Sequence, residues 1–433
     1  MMVSSQTRHC PAILISAPAS GQGKTTVTAA MAYYHRLQNL KVRVFKTGPD
    51  FIDPQILAYA SAQPVYQLDL WMMGVKHCQE LLFRAAAEAD VILIEGVMGL
   101  FDGESSSADL AQIMGIPIAA VIDAQGMAQT FSAIAFGLAN YRSQLAFAGV
   151  IANKVGSIGH AKLLEESLPK SMPLLAAMMK DAAVALPSRH LGLLQASEIS
   201  DLDERLNHAA ELLTSAAPCK LPESVAFEYI ESKRLPQLLI GKKIAVAHDA
   251  AFSFIYQANL DCLEAMGAEL QFFSPLLDQA LPTADSIYLP GGYPELYLQT
   301  LAENKAMQDA LRLHHQAGKP IYAECGGFLY LLESLTDCDG NKASMVGLLP
   351  GSARMQSKLV NLGMHSLQLD KGEIRGHSFH HSLLEIAIQP FAVSVPQRNR
   401  NCSEDFFQLG RLQATYLHLY FPFNAQLAAG FFL

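Results

Sequence analysis

The sequence predicts a two-domain protein of the α/β class, with a parallel β-sheet in each domain. The chain has 433 residues, of which 51% are apolar, and a single hydrophobic core seldom grows beyond about 250 to 300 residues. From residue 11 to about 215, apolar β-branched runs alternate with helix-like segments, as in βαβ units. A poorly periodic, proline-punctuated segment then precedes a new strand at 243. We therefore predict one domain over 1–215, a linker over 216–242 and a second domain over 243–433.

The overall charge and the cysteine content limit the classes of function. The formal net charge is −9 at pH 7, which argues against binding to nucleic acid or to a membrane surface, so a polyanionic substrate would need a local basic pocket. No run approaches the about 18 uncharged apolar residues of a membrane span, and no secretory signal pattern is found. The seven cysteines are scattered without a Cys-x-x-Cys pair, which predicts neither a disulfide framework nor a zinc site. We expect a cytoplasmic protein.

The first domain is expected to carry its functional residues at one edge of its sheet. Strands are predicted at 12–16, 42–46, 91–95, 118–123, 148–153 and 174–178. Each run ends in polar or small residues, and in open α/β sheets ligands bind beyond the carboxyl ends of the strands. The loops that follow these strands are therefore the places where chemistry is expected.

The loop after the first strand, residues 20–26 with the sequence Ser-Gly-Gln-Gly-Lys-Thr-Thr, predicts a phosphate-binding site. Gly21 and Gly23 let backbone N–H groups surround an anion, and Lys24 adds a positive charge for the terminal phosphates. The hydroxyl of Thr25, at the start of the following helix, is placed to ligate Mg²⁺. The predicted nucleotide-binding residues of this loop are Gly21, Gly23, Lys24, Thr25 and Thr26.

Two positions separate this loop from related phosphate loops. Pro18 stands where a standard Walker A loop begins with glycine. Ala19 stands where the partition and septum-site ATPases usually carry a second lysine. A nucleotide-switch protein of that type is therefore the less favoured interpretation.

Acidic residues follow the second and third predicted strands. Asp50 and Asp53 lie three residues apart in a loop punctuated by glycine and proline. Glu95 ends the third strand, and Asp102 follows it in a glycine-rich loop. A carboxylate at the tip of a central strand beside a phosphate loop can hold Mg²⁺ or its water ligands. The predicted metal-site residues are Thr25, Asp50 and Glu95, and capping of nearby helices is the alternative role for the three aspartates.

Two further loops carry weaker signals. Asn153 ends the fifth strand, where a side-chain amide could read the edge of a purine, and it is predicted to contact the nucleotide. Arg189 and His190 form a cationic pair in a later loop, although such a pair is more often part of a solvated surface.

The second domain contains a cysteine at a sharp turn from a strand into a helix. Cys325 follows the strand-like run 320–324 and precedes Gly326 and Gly327, an arrangement typical of a nucleophile elbow. The start of the helix is expected to lower the pKa of the thiol, and the Gly326 N–H would face a developing oxyanion. Gly292, in a glycine pair after an earlier strand, is the predicted second oxyanion donor. A buried structural thiol is the alternative role for Cys325.

A cysteine nucleophile needs a base, and the best candidate is His418. This histidine lies near the C-terminus in an alternating segment, 414–420, which predicts a strand that presents it at its end. The competing histidines are His365, His377, His380 and His381.

Taken in order along nearly the whole chain, these motifs resemble the cobyrinic acid a,c-diamide synthases of corrin biosynthesis. The matching segments are 20–26, 48–54, 95–103, 188–192, 289–295 and 323–327. The resemblance implies a P-loop NTPase-like parallel sheet, similar to dethiobiotin synthetase, followed by a class I glutamine amidotransferase domain of flavodoxin-like α/β fold.

The resemblance also implies a reaction. Cys325 would attack the side-chain amide of glutamine and form a γ-glutamyl thioester, while His418 transfers the proton and ammonia is released. The first domain would use ATP and Mg²⁺ to convert the a and c side-chain carboxylates of cobyrinate into acyl phosphates, which ammonia turns into amides. Asp53 and Asp102 would line the acceptor side. The cations assigned to the macrocycle are Lys154, Arg189, His190, Arg354 and His380.

The implied partners are glutamine and a tetrapyrrole polycarboxylate, without nucleic acid or membrane, and a homodimer is left open. The identity of the macrocycle is also left open, because the motifs do not distinguish cobyrinate from hydrogenobyrinate or nickel-sirohydrochlorin. Two positions depart from the family pattern. Class I amidotransferases usually carry a glutamate where this chain has Tyr420, and an acid is expected at Ser378. The first departure leaves open an enzyme that uses free ammonia in place of glutamine.

Overall fold

The computed structural model describes residues 6–189, 192–215, 219–231, 234–398 and 402–433. The chain divides into two compact units, Met1–Ser232 and Lys233–Leu433. Each unit is an α/β domain with a mainly parallel sheet, and the predicted fold class is confirmed. Within the described ranges, no helix is both long enough and apolar enough to cross a membrane.

The first unit alternates strands and helices along most of its length. Its strands are β1 (Thr7–Ser16), β2 (Val42–Thr47), β3 (Tyr66–Leu68), β4 (Val91–Glu95), β5 (Ile118–Asp123), β6 (Phe147–Val155), β7 (Leu174–Met179), β8 (Ser188–Arg189), β9 (Gly192–Leu193) and β10 (Ser224–Glu228). Its helices are α1 (Lys24–Leu37), α2 (Asp53–Ser61), α3 (Val75–Ala85), α4 (Ser107–Met114), α5 (Gln129–Asn140), α6 (Ile158–Ser167) and α7 (Leu202–Thr214).

Seven of these strands form one parallel sheet in the order β3-β2-β4-β1-β5-β6-β7. Strand β4 is buried at every residue, as expected for a strand whose sheet is covered by helices on both faces. All six runs predicted as strands are strands in the structure. Strands β1 and β4 are parallel neighbours, with Ile15 opposite Glu95. The phosphate loop, which follows β1, therefore begins beside the carboxyl end of β4, the third predicted strand.

Strand β10 lies inside the segment predicted as the interdomain linker. It pairs antiparallel with the first half of β1, with Thr7 opposite Glu228 and Pro11 opposite Ser224. Its side chains alternate between exposed and buried, and Val225 and Phe227 are the buried ones. The first compact unit consequently extends to Ser232, beyond the predicted domain end at 215.

The second unit contains more strands and shorter helices. Its strands are β11 (Lys243–Ala247), β12 (Glu269–Phe273), β13 (Ser286–Leu289), β14 (Ile321–Glu324), β15 (Leu332–Thr336), β16 (Lys342–Ser344), β17 (Leu349–Met355), β18 (Asn361–Leu369), β19 (Gly372–His380), β20 (Ser382–Ile386), β21 (Ala392–Val393), β22 (Val395–Pro396), β23 (Asp405–Leu409), β24 (Leu412–Thr415) and β25 (His418–Leu419). Its helices are α8 (Gln257–Ala265), α9 (Leu298–Glu303), α10 (Lys305–Gln316), α11 (Gly326–Leu331) and α12 (Ala425–Ala429).

The main sheet of the second unit has the order β12-β11-β13-β14-β24-β23-β21. Its first five strands are parallel, and β23 and β21 continue it in antiparallel fashion. Two smaller sheets, β16-β15-β17-β20 and β22-β18-β19-β25, are built from the strands that follow α11. Strand β14 lies between β13 and β24, so the turn after it opens among the carboxyl ends of parallel strands.

The segment 414–420 is not the single strand that its alternation predicts. Strand β24 ends at Thr415, and β25 is a separate strand that pairs with β19 of a smaller sheet. The Leu417 N–H donates to the Thr415 hydroxyl at 3.2 Å where the chain leaves the main sheet. All residues from 414 to 420 are buried. The alternation of polar and apolar residues therefore does not distinguish an exposed face of a strand from a buried one.

Candidate active sites

The phosphate loop of the first unit connects β1 to α1 in a conformation that depends on glycine. Gly21 and Gly23 have φ angles of 77° and 90°, which residues with a Cβ seldom adopt. A Cβ on Gly23 would also collide with the side-chain amide of Asn153. That amide donates from Nδ2 to the carbonyl oxygen of Gln22 at 2.9 Å. Asn153 therefore supports the loop from the end of β6.

Lys24 and Thr25 join the phosphate loop to the loop after β4. Lys24 Nζ donates to the carbonyl oxygens of Ala19 at 3.2 Å and Met98 at 2.6 Å. Thr25 Oγ1 donates to Glu95 Oε1 at 2.9 Å. Burial lowers the pKa of Lys24, and the nearby charge of Lys46 lowers it further.

These side chains open onto a cavity of about 760 Å³. The structure places ten of the predicted site residues on its wall: Gly21, Gly23, Lys24, Thr25, Thr26, Asp50, Asp53, Glu95, Asn153 and Lys154. The sequence places them in four separate loops, and the parallel sheet brings these loops together at its carboxyl edge. The volume is within the range of small-molecule sites.

Lys46 is a charged residue of this cavity that the sequence analysis did not identify. Its side chain is only 2% exposed, and its Nζ lies 3.6 Å from Asp53 Oδ2, 3.7 Å from Glu95 Oε1 and 3.9 Å from Asp50 Oδ2. Burial lowers the pKa of this ammonium group, but the three carboxylates outweigh burial and raise it. A lysine at the end of an apolar strand, followed by two acids, is the signal that could have revealed it.

The three carboxylates carry more negative charge than Lys46 can balance. Burial raises the pKa of Asp50 to about 7, and repulsion from Asp53 adds to this effect. Burial also raises the pKa of Glu95 to about 8, against the attraction of Lys46. Carboxylates whose charge is this poorly compensated favour an additional cation.

The residues around Glu95 fit a Mg²⁺ ion that is shared with a phosphate ligand. Glu95 Oε2 is buried and has no hydrogen-bond partner, and the hydroxyl of Thr25 lies beside the same carboxylate. In the described part of the chain, no group of three or more His, Cys, Asp or Glu side chains is arranged to hold a metal by itself. Mg²⁺ needs no such group when phosphate oxygens and waters complete its shell.

Other predicted residues of the first unit lie apart from the cavity or have other partners. Asp102 is exposed, accepts the Gly99 N–H at 3.0 Å and does not line the cavity. Lys154 Nζ lies 2.6 Å from Asp123 Oδ2. His190 is outside the described residues, and Arg189 is described only as part of β8.

In the second unit, Cys325 occupies a one-residue elbow between β14 and α11. Its φ and ψ angles are 41° and −106°, a strained conformation for a residue with a Cβ. The Cys325 N–H donates to the carbonyl oxygen of Thr415 at 2.8 Å, which ties the elbow to the end of β24. The strain supports a functional role, since such conformations cluster at active sites.

The expectation that the helix start lowers the pKa of this thiol is wrong. Burial is the largest influence and raises the pKa of Cys325, and the negative charge of Glu295 raises it further. The Gly326 N–H lowers the pKa, but by less. Cys325 is 6% exposed, and this enclosure could not be deduced from the elbow motif.

The glycines around the elbow permit close approach of backbone segments. A Cβ on Gly326 would lie 2.8 Å from the backbone nitrogen of Gly292. A Cβ on Gly292 would collide with the carbonyl oxygen of Ala251, and one on Gly327 would collide with that of Leu289. The structure therefore brings the two predicted oxyanion donors, Gly326 and Gly292, next to each other.

His418 is buried on β25, and the backbone of the next residue, Leu419, makes hydrogen bonds to two polar side chains. The Leu419 N–H donates to Glu324 Oε1 at 3.0 Å, and the Leu419 carbonyl accepts from Asn259 Nδ2 at 2.8 Å. Burial lowers the pKa of His418 to about 3, and the charge of His380 contributes to this decrease. The ring is therefore neutral near pH 7, as a general base must be before it accepts a proton.

Ser378 stands where the family pattern predicts an acid, and the structure supplies a carboxylate from elsewhere in the chain. Glu404 Oε1 accepts from Ser378 Oγ at 2.5 Å and from Asn361 Nδ2 at 2.6 Å, and it lies 2.9 Å from His380 Nε2. Burial raises the pKa of Glu404, but the bonds from His380 and Ser378 outweigh burial and lower it.

Two residues predicted to bind the macrocycle lie in the second unit. The ring of His380 is buried and stacks on Tyr416, with ring centroids 3.8 Å apart. Arg354 is exposed on β17, where it pairs with Thr336 of β15 and with Leu383 of β20. His380 is thus held in a buried contact with Glu404, whereas Arg354 faces solvent.

Comparison with known proteins defines both units. Residues 13–194 match the CobQ/CobB/MinD/ParA nucleotide binding domain, and residues 243–425 match the CobB/CobQ-like glutamine amidotransferase domain. These two domains, with the phosphate loop in one and the cysteine elbow in the other, define a nucleotide-binding glutamine amidotransferase that acts as an amidoligase.

Relatives along the whole chain identify the family. A hydrogenobyrinate a,c-diamide synthase of Pseudomonas aeruginosa is 56% identical, with 97% of each chain covered. One of Stutzerimonas stutzeri is 55% identical, with 98% of each chain covered. A cobyrinate a,c-diamide synthase of Herminiimonas arsenicoxydans is 49% identical, covering 97% of this chain and 96% of that protein. The chain belongs to the family of hydrogenobyrinate and cobyrinate a,c-diamide synthases.

Proposed function

We propose that this chain amidates the a and c side-chain carboxylates of cobyrinate, with ATP as the energy source and glutamine as the nitrogen donor. The observation that carries the proposal is the presence of two sites in one chain. One is a cavity with a phosphate loop and a Thr25–Glu95 pair, and the other is the Cys325 elbow beside a strand that leads to His418.

The first site would activate the carboxylate of the macrocycle. A free carboxylate does not react with ammonia near pH 7, so conversion to an acyl phosphate supplies a leaving group. When bound, ATP with Mg²⁺ supplies the phosphoryl group and neutralises its developing charge. The loop N–H groups and Lys24 would hold the phosphates, and Thr25, Asp50 and Glu95 would hold the metal or its water ligands. Lys46 would keep the carboxylates in place. Asp53, on the cavity wall, is assigned to the acceptor side, and Asp102, which lies outside the wall but whose charge acts on Lys24, is assigned to the same side.

The second site would release ammonia from glutamine. His418 would remove the proton of the Cys325 thiol as its sulfur attacks the amide carbon, and the leaving nitrogen would take that proton. The N–H groups of Gly326 and Gly292 would donate hydrogen bonds to the oxyanion. Water would then hydrolyse the thioester and restore the thiol.

A cobalt-free macrocycle is the second candidate substrate. The relatives at 56% and 55% identity are named for hydrogenobyrinate, whereas the one at 49% is named for cobyrinate. For location we propose the cytoplasm, since all seven cysteines of the chain are described and free, as is usual in a reducing compartment.

Mass spectrometry of the products tests the proposal. The protein is incubated with MgATP, glutamine and one of three macrocycles, namely cobyrinate, hydrogenobyrinate and nickel-sirohydrochlorin, and single and double amidations are counted. We expect a doubly amidated product that requires both ATP and glutamine. Double amidation of hydrogenobyrinate alone would select the second candidate. Failure with all three macrocycles, with glutamine and with ammonia, would overturn the proposal.

A further inference from the structure

The position two residues after His418 cannot supply the negative charge that commonly orients a catalytic histidine. It is occupied by Tyr420, whose side chain carries no carboxylate. Tyr420 is buried, and its ring packs edge-on against Tyr256 with centroids 5.7 Å apart. Tyr256 also contacts a second histidine, and that histidine in turn contacts His418.

That second histidine is His377, and the β-sheet register places it directly opposite His418. Strands β19 and β25 are antiparallel, with His377 paired to His418. Side chains of directly paired residues project from the same face of the sheet and lie close together. Accordingly, the two imidazole rings stack, with centroids 5.0 Å apart and planes inclined by 22°.

The orientation of the His377 ring is itself fixed. Its Nδ1 lies 2.7 Å from the hydroxyl oxygen of Tyr256, and whichever group donates, this bond restricts rotation of the ring. Burial lowers the pKa of His377 well below its ordinary value, and the neighbouring His418 and His365 lower it further. His377 is therefore a neutral, flat surface in a fixed position.

The backbone of Gly291 confines His418 at another edge. A Cβ on Gly291 would collide with Cε1 of the His418 ring. The imidazole thus lies in a slot formed by the His377 ring and by a backbone that carries no side chain. We propose that His377, fixed by Tyr256, is a positioning residue that holds His418 in its working orientation by ring stacking. This inference rests on the proposed glutaminase role of Cys325 and His418.

A stacked neutral ring and a carboxylate would affect the base, His418, in different ways. It restricts rotation of His418 but supplies no negative charge to stabilise the imidazolium form. Other titratable groups act on the site, because Glu295, Glu324 and Glu404 influence Cys325, and His380 influences His418. The effect of His377 should therefore appear in the rate of proton transfer from the thiol.

Two variants separate stacking from hydrogen bonding. His377→Leu removes the flat ring, and Tyr256→Phe removes only the hydroxyl that fixes it. General-base catalysis contributes on the order of 10²- to 10⁴-fold, so we expect His377→Leu to lower kcat for glutamine hydrolysis by about 100-fold with little change in KM. Tyr256→Phe should lower kcat by about tenfold. His377→Phe, which keeps a ring, should recover part of the loss, and amidation with ammonia should be unchanged in each variant.

A second readout does not depend on glutamine turnover. The rate at which iodoacetamide labels Cys325 is measured by peptide mass spectrometry between pH 6 and 10. His377→Leu should move this pH profile in the same direction as His418→Ala, whereas His315→Leu, on the helix α10 of the same unit, should leave it unchanged. Thermal unfolding of each variant reports whether the fold is retained.

The outcomes distinguish this inference from the proposed function. If a folded His377→Leu or Tyr256→Phe protein keeps the wild-type kcat and labelling profile, the positioning role is refuted while the proposed function stands. Equal losses with glutamine and with ammonia would also refute it, because they indicate a general structural defect. If the wild-type protein amidates no macrocycle, the proposed function fails, and the labelling profile still decides whether His377 positions His418.

Discussion

The two candidate active sites occupy the same place in their sheets but treat charge in opposite ways. In the first unit, the turn after β1 opens onto a cavity of about 760 Å³ lined by four lysines and four carboxylates. In the second, the turn after β14 encloses Cys325, where burial raises the pKa of the thiol and lowers the pKa of His418 to about 3. The first site is prepared for charged ligands, and the second keeps its reactive groups neutral until a ligand arrives.

The local backbone accounts for this difference. The loop between β1 and α1 spans residues 17–23, and its two glycines with positive φ angles line the cavity. The elbow between β14 and α11 is a single strained residue closed in by Gly292 and Gly327. A wide glycine loop admits a phosphate chain, whereas a tight elbow presents one atom to a small amide.

Loss of the thiol should separate the two sites most clearly. Cys325→Ala should lower glutamine-dependent amidation by about 10⁴-fold or more, as expected when a nucleophile is removed. Amidation with ammonia should persist, because the first site needs no thiol. Both rates are measured by mass spectrometry, with the exposed Cys338→Ala as the matched control. A parallel loss with both nitrogen donors would contradict the division into two sites.

Removal of Lys24, the lysine of the phosphate loop, should abolish amidation by the first site with either nitrogen donor, glutamine or ammonia. Lys24→Ala should lower amidation with glutamine and with ammonia by about 10³-fold, since a charge that stabilises the transferring phosphoryl group is lost. Hydrolysis of glutamine by the second site should continue. Lys162→Ala, on the exposed face of α6, is the control. Undiminished ATP-dependent product would show that the phosphates bind elsewhere.

The buried carboxylate of Glu404 should contribute to stability in a pH-dependent manner. Its pKa is lowered in the folded protein, so its contribution is present above the unfolded pKa of about 4.3 and is lost as the pH falls through the folded value. Glu404→Gln should reduce the free energy of unfolding by about 3 kcal/mol at pH 7. Urea unfolding at pH 7 and at pH 3 measures the difference. A difference that does not decrease between pH 7 and pH 3 would rule out this electrostatic origin.

The smallest expected effect concerns the metal. Asp50→Asn should raise the Mg²⁺ concentration for half-maximal turnover by about tenfold, because a carboxylate that would hold the metal or its water ligands is lost. The same titration on Asp261→Asn, in helix α8 of the second unit, is the control. An unchanged Mg²⁺ dependence in Asp50→Asn would place the metal away from this loop.

The fold could be predicted where one local pattern was sufficient. The strands of the first sheet are short apolar runs followed by loops, and the phosphate loop and the elbow each depend on a few adjacent residues. Strand β10 escaped prediction because it has only five residues in a proline-rich region and its partner, β1, lies more than 200 residues earlier.

The parts of the sites that escaped prediction depend on distant contacts. Lys46 acquires its role from Asp50, Asp53 and Glu95, which meet only when the sheet forms. Glu404 meets Ser378 and Asn361 from positions 26 and 43 residues away. The pKa of Cys325 likewise depends on the packing around the elbow. These contacts and this pKa cannot be predicted from the residues that are adjacent in the sequence.

The pairing of β10 with β1 determines where the two halves can be separated. The first half of β1, from Thr7 to Pro11, has β10 as its antiparallel neighbour. A fragment that stops at 215 would leave this row of backbone N–H and C=O groups bare, and bare strand edges promote aggregation. A nucleotide-binding half prepared for calorimetry or crystallisation should therefore retain residues through Glu228.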